Sequence, residues 1–241
     1  VTGFCALSHC LAVIVSLLAG PAATEDLKLD FESPLYAAGA DIDGVEGWRV
    51  IPASPKGTQD ASLANITPSE QTGYRQVLDG KHSLAIFANA RSFVHSFPPR
   101  LELKKDTILS FRIWAEVQQG QTGIYLGFPL DKGGTPVGIE AKWADEEFVF
   151  FGGKSGLTER VKALAGHDYQ VEIVLDFSAM KARGYVTDLT AGSPRERLGE
   201  QVLAGEKLIP AEVARKGGIL ITKSGSVVIV DNIRIDPPPE K

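Results

Sequence analysis

Residues 218–236 read Gly218-Ile219-Leu220-Ile221-Thr222-Lys223-Ser224-Gly225-Ser226-Val227-Val228-Ile229-Val230-Asp231-Asn232-Ile233-Arg234-Ile235-Asp236. Two β-branched runs flank Lys223-Ser224-Gly225-Ser226. Glycine and small polar residues between such runs are a hairpin signal, so the sequence predicts two strands joined by a tight turn. The second run alternates. Val227, Ile229, Ile233 and Ile235 share one phase, and Val228, Val230, Asn232, Arg234 and Asp236 share the other. A period of two describes a strand with one face buried. Asp231 breaks the pattern by falling in phase with the apolar set. A carboxylate there needs a partner, a metal or a place at the rim, because burying an unpaired charge is very costly.

Other strands follow the same rule. Leu27 to Glu32 alternates on Leu27, Leu29 and Phe31. From Ser83 onward short strands come in quick succession, punctuated by Gly, Pro, Asp and Asn. They are Leu84 to Ala88, Ser92 to Phe97, Ile108 to Val117, Ile124 to Phe128, Val137 to Trp143, Phe148 to Phe151, Leu157 to Val161, Tyr169 to Phe177 and Lys181 to Asp188. About twelve such strands predict an all-β, two-sheet antiparallel sandwich or barrel. Ser33 to Ile51 is expected to be a long connection, and Pro52 to Gly80 the least ordered part. Ser193 to Arg215 interrupts the strands and is expected to hold one short helix at Ala211 to Lys216.

The chain has 241 residues, room for one large all-β domain. Phe4 to Ala19 is apolar and uncharged, followed by small residues up to Thr24 and then Glu25-Asp26. That is the pattern of a secretory signal segment over residues 1–24, leaving 25–241 as one domain outside the cell or in a periplasm. A retained membrane anchor is the alternative, but a run of about 16 residues falls short of the ~20 that span a bilayer. Both cysteines, Cys5 and Cys10, lie in that segment, so the rest of the chain has neither disulfide nor thiol chemistry. The 25 basic and 30 acidic residues are interspersed, and no basic stripe offers itself to nucleic acid. No later segment is apolar enough to span a membrane.

The polar faces carry the candidate chemistry. Ile108 to Val117 turns Leu109, Phe111, Ile113, Ala115 and Val117 inward and Ser110, Arg112, Trp114 and Glu116 outward. Val137 to Trp143 leaves Glu140 and Lys142 outside. Tyr125, Arg183 and Tyr185 also fall on outer faces. Aromatics among hydrogen-bonding charges suit a sugar, whose apolar face stacks while its hydroxyls pair. Arg112, Trp114, Glu116, Tyr125, Glu140, Lys142, Arg183 and Tyr185 are therefore the expected glycan-binding residues, against the plain alternative of a solvated sheet face. A retaining glycosidase needs two carboxylates about 5–5.5 Å apart. The Glu-x-Asp-x-x-Glu arrangement that would deliver them on one strand is absent. The nearest acidic group, Glu140 with Asp145-Glu146-Glu147, is spaced differently and ends in what reads as a turn. The histidines are scattered, and neither a nucleophile elbow nor a phosphate loop is present.

Leu29-Asp30-Phe31-Glu32-Ser33, Ile42-Asp43-Gly44, Gly47-Trp48, Lys81 to Ile86, Tyr169 to Ile173, Asp176-Phe177 and Val230 to Ile233 resemble secreted proteins of the concanavalin A-like lectin/glucanase (laminin-G-like jelly-roll) superfamily. The resemblance spans most of residues 27–236. It implies a jelly-roll sandwich whose first and last strands pair at an edge, and a carbohydrate-linked role. A non-catalytic polysaccharide-binding protein is the leading expectation. A polysaccharide-active hydrolase or lyase, or a structural or adhesive surface domain, are the alternatives. It also implies a structural calcium ion where the first and last strands meet, with Asp30, Glu32 and Asp231 as the matching acids.

Overall fold

The structure, a computed structural model, describes residues 27–40, 42–51, 64–68, 73–87, 91–96, 107–126, 137–151, 160–176, 178–179, 181–202 and 218–236. The expected signal segment and the helix at Ala211 to Lys216 lie outside the described residues. Among the described residues there are fifteen strands and one 3-10 turn, Trp143–Asp145. The strands are β1 Leu27–Leu29, β2 Trp48–Ile51, β3 Ala64–Thr67, β4 Ser83–Ile86, β5 Arg91–Ser96, β6 Thr107–Ala115, β7 Gly120–Leu126, β8 Val137–Lys142, β9 Glu147–Phe151, β10 Val161–Lys162, β11 Asp168–Asp176, β12 Lys181–Asp188, β13 Glu196–Val202, β14 Gly218–Gly225 and β15 Val228–Asp236.

They form two antiparallel sheets. The eight-stranded sheet runs β13-β12-β11-β6-β15-β4-β3, with β1 also on β15; the seven-stranded sheet runs β10-β9-β8-β7-β14-β5-β2. Their inner faces meet in one core. Leu109, Phe111, Ile113 and Ala115 of β6 and Tyr169, Val171, Ile173 and Leu175 of β11 come from one side. Ile124 and Leu126 of β7, Val137, Ile139 and Ala141 of β8 and Phe148 and Phe150 of β9 come from the other. The rings of Phe148 and Tyr169 meet across the interface at 4.8 Å. At Gly184 a side chain would run into Phe150, so this residue lets the sheets approach. Each Val, Ile, Leu or Phe buried this way contributes about 1.5–3 kcal/mol.

The alternation predicted for β6, β8 and β11 is observed, except that Val117 lies past the end of β6 and is 45 % exposed. The first and last strands pair as expected, Leu27 opposite Ile235. The last strand is nevertheless internal, because β6 flanks it on one side and β4 and β1 share the other. Strands also occur where none was expected: β2 and β3 in the long N-terminal connection, and β13 in the charged stretch after Ser193.

The predicted terminal hairpin is not formed. β14 pairs with β5 and β7, whereas β15 pairs with β1, β4 and β6, so the turn at Ser226 carries the chain from one sheet to the other. The β6–β7 connection makes the same crossing beside it. Ser226 N–H donates to Gln119 O at 3.1 Å, and Gly120 and Gly225 meet with both φ values positive. A Cβ on Gly120 would sit 2.1 Å from Ser224 O, which is why glycine marks both crossings. The glycine-polar segment signalled a sharp turn correctly, but not whether its arms stay in one sheet.

The phase of β15 is also corrected. Val228 and Val230 face the main core, while Ile229 joins Leu78 and Ala85 on the opposite side. Asp231 follows Ile229 to that outer side. The register then slips: Asp231 opposes Arg112, but Arg234 opposes Ser110, three residues against two. This is a β-bulge, with Asn232 in the left-handed region at φ 51°. It returns Ile233 and Ile235 to the main core.

Candidate functional site

The outer face of the eight-stranded sheet is largely occupied. The segment 74–82 lies over its β6–β15–β4 part. Leu78, Ala85 and Ile229 form a small second core, against which Phe87 and Trp114 pack half-buried. Tyr74 meets Phe87 edge-to-face at 4.9 Å and donates its hydroxyl to Glu116 at 2.5 Å. Burial and the Glu116 carboxylate push the Tyr74 hydroxyl up to about 12. Arg112 is held by Asp168, its Nε 3.3 Å from Oδ1, and lies 3.7 Å from Asp79. Trp114 thus helps to anchor a covering segment.

Farther along the same face, Tyr185 is capped by the Arg195 guanidinium, 3.6 Å from the ring centroid, and Arg195 is paired with Glu172 at 2.5 Å. Arg183 is paired with Glu200 at 2.7 Å, and Lys181 and Arg197 reach the same carboxylate. Lys181 and Arg183 hold Glu200 down at about 2. The Arg183 guanidinium and the Tyr185 ring are therefore engaged within the sheet.

The remaining candidates lie on the other sheet. Tyr125 lies across the outer face of the seven-stranded sheet and is itself buried, 8 % exposed. It is made possible by two glycines: a Cβ on Gly123 would fall 2.3 Å from the Tyr125 hydroxyl, and one on Gly138 would fall 2.3 Å from its Cδ1. The hydroxyl donates to Glu140 Oε1 at 2.5 Å. Burial and this carboxylate raise the phenol above its ordinary range. One rung away Lys142 opposes Glu147, with Nζ 3.5 Å from Oε1, and Arg160 reaches Oε2 of Glu147 at 3.5 Å. The eight expected residues thus divide: Arg112, Trp114, Glu116, Arg183 and Tyr185 on one sheet, Tyr125, Glu140 and Lys142 on the other.

Glu147 was missed as a site residue. The turn reading holds for Asp145 and for Glu146, which has φ 55°, but Glu147 opens β9. Pairing of Lys142 with Glu147 and of Glu140 with Val149 puts both glutamates on the outer face as diagonal neighbours, about 7 Å apart between Cβ atoms in such a ladder. The signal was available: a four-residue turn returning to an apolar run places Glu147 beside Lys142.

Asp30, Glu32 and Asp231 do come together. With Lys28, Asp79, Gly80, Asn232 and Arg234 they line a cleft of about 210 Å³ where the first and last strands meet. Most of their oxygens already accept hydrogen bonds or ion pairs from the chain. Asp30 accepts from Glu32 N–H at 3.2 Å and pairs with Lys28. Glu32 Oε1 accepts Lys81 N–H at 2.6 Å and His82 N–H at 2.9 Å. Asp79 accepts Gly80 N–H and Asn232 Nδ2, at 3.0 and 3.2 Å. Asp231 is fully buried and accepts from Ser83 Oγ at 2.5 Å, Asp79 N–H at 3.0 Å and Asn232 N–H at 2.6 Å. Burial pushes Asp231 up to about 6 despite these bonds. Calcium takes about 6–8 oxygen ligands. Among the described residues no three acidic, histidine or cysteine side chains converge to hold an ion. The donor set present does not fit a calcium shell.

No protein-family model matches the chain, and no curated protein matches it in sequence. Solved structures do. A non-specific endo-β-1,3(4)-glucanase of family GH16 superposes with a TM-score of 0.52 at 10 % identity, over 89 % of this chain and 91 % of that one. The catalytic domain of a glycoside hydrolase family 131 protein from Coprinopsis cinerea aligns at 0.47 and 12 % identity, over 80 % and 84 %. Arcelin-5, a lectin-like defense protein from Phaseolus vulgaris, aligns at 0.46 and 10 % identity, over 78 % and 97 %. The chain has the concanavalin A-like jelly-roll fold.

Proposed function

We propose that this chain is an exported carbohydrate-binding protein that holds a polysaccharide on the outer face of its seven-stranded sheet. The observation supporting this most directly is the Tyr125–Glu140 pair laid over Gly123 and Gly138. Around it the same face presents Gln121, Thr222, Lys142 and Glu147, an amide, a hydroxyl, an ammonium and a carboxylate. Such a mixture of donors and acceptors matches the hydroxyls of a sugar chain. Tyr125 is itself only 8 % exposed, so a ligand would reach the pair from the side of the half-exposed Glu140 and Lys142. On the other sheet Trp114 packs with the segment 74–82 and Tyr185 is capped by Arg195. Structural neighbours that are lectins and glucanases agree with a carbohydrate role without choosing between binding and catalysis.

The test is a glycan array on the purified chain, followed by titration of Glu140→Ala. A charged hydrogen-bonding group removed from a binding face costs about 1.5–3 kcal/mol, a loss of roughly tenfold or more in affinity. An array without hits, or an unchanged affinity in the variant, overturns the reading. The diagonal glutamates Glu140 and Glu147 favour one second reading, a polysaccharide-cleaving enzyme. Glycosidases work with a pair of carboxylates flanking the scissile bond, and the register puts these two on one face. Reducing ends released by the wild type, and by neither Glu140→Gln nor Glu147→Gln, would establish it.

A further inference from the structure

The cleft between the first and last strands has the polarity of an anion site. Five successive backbone N–H groups, from Leu78 to His82, each donate to a side-chain oxygen. Leu78 N–H donates to Ser83 Oγ at 3.0 Å, and Asp79 N–H to Asp231. Gly80 N–H donates to Asp79 itself, and the N–H groups of Lys81 and His82 both converge on Glu32 Oε1. Consecutive amides that turn toward one concavity create a positive cradle for anions. Lys28 and Arg234 add two cations to the same lining. Gly80 keeps the cradle tight, since a Cβ there would fall 2.3 Å from Glu32 Oε1.

We infer that this place, where a calcium ion was expected, is a metal-independent clasp in which the chain's own carboxylates fill a backbone anion cradle. Glu32 comes from just past β1 and Asp231 from the bulge in β15. Both grip the turn 78–83, so the clasp ties the two ends of the described chain to the segment covering Trp114. The acceptors a cation would need are the acceptors these amides use. An ion taking these carboxylates would compete with four amide donors, those of Asp79, Gly80, Lys81 and His82, and set them beside a positive charge.

The test is thermal melting of the whole chain with EDTA, with millimolar calcium and with neither. The expected result is a single Tm under all three conditions. A loss with EDTA, or a calcium-dependent gain of more than about 2–4 °C, the equivalent of about 1 kcal/mol in a domain of this size, overturns the clasp. The second arm is Glu32→Ala, which empties the cradle while leaving Asp231 in place. Its Tm is expected to fall, and formate or acetate to restore part of the loss relative to chloride at equal ionic strength. Rescue by calcium instead, or an unchanged Tm, also overturns it. If Glu32→Ala fails to fold, Glu32→Gln is the substitute: it retains one acceptor oxygen, and its smaller loss should likewise be indifferent to calcium.

Discussion

The carboxylate of Asp231 accepts the backbone N–H of Asp79, 152 residues earlier, at 3.0 Å, and in doing so is wholly removed from water. Burial outweighs its three hydrogen bonds and raises it from 3.8 to about 6. The folded state therefore holds a proton that the unfolded chain would release. The stability this proton supplies is complete below pH 3.8 and is lost as pH rises through about 6. Asp231→Asn cannot titrate there. The Tm of wild type minus that of Asp231→Asn should fall across this window. A difference that is flat with pH would mean that Asp231 is solvated.

Trp114→Ala should act on stability. The indole packs half-buried on Leu78, Ala85 and Ile229, so truncation opens a void beneath the covering segment. Full Trp→Ala losses are about 3–5 kcal/mol, and partial exposure lowers this to about 2–3 kcal/mol. Glycan affinity per folded molecule should be unchanged. A stable Trp114→Ala with weakened glycan binding would return the binding face to the eight-stranded sheet.

The sheets were legible where one face meets the core without interruption. β6, β8 and β11 obey a strict period of two, and their inner residues were placed correctly within the strands, with Val117 falling beyond the end of β6. β15 was not, because a bulge adds one residue to one strand only and reverses the faces beyond it. The sequence contained the trace of that bulge, the acid out of place at Asp231 beside Asn232, a residue type that tolerates positive φ. The candidate site was legible residue by residue but not as a set. Which sheet an outer-facing Tyr125 or Trp114 belongs to depends on pairings between strands far apart in sequence, and alternation is silent on these.

Lys223→Met should stabilise the protein at neutral pH. Lys223 follows Ile219 and Ile221 along the inner face of β14, is only 2 % exposed, and gives its ammonium to Phe87 O at 2.8 Å. Burial lowers it from 10.5 to about 8. The folded state disfavours the proton, so the stability of wild type relative to Lys223→Met should rise between pH 8 and 10.5. At pH 7 the variant should gain about 1–3 kcal/mol, less what is lost by leaving the Phe87 carbonyl without its donor. Denaturant melts at both ends of this range check the sign; a variant destabilised at pH 7 contradicts it.

Gly123 and Gly138 separate architecture from binding. At Gly138 a methyl would meet Tyr125 Cδ1 at 2.3 Å and the fixed carbonyl of Ile124 at 2.5 Å, so no side-chain movement relieves it. Gly138→Ala should cost about 1–3 kcal/mol through overpacking. At Gly123 the methyl meets the hydroxyl end of Tyr125 at 2.3 Å, and the ring can swing away at the expense of its bond to Glu140. Gly123→Ala should therefore stay folded, with the Tyr125 phenol titrating closer to its ordinary value. If the Tyr125–Glu140 pair holds the ligand, glycan affinity should drop along with that phenol shift. If affinity persists while the phenol shift is lost, the pair serves the sheet alone, and the ligand must be sought elsewhere on this face.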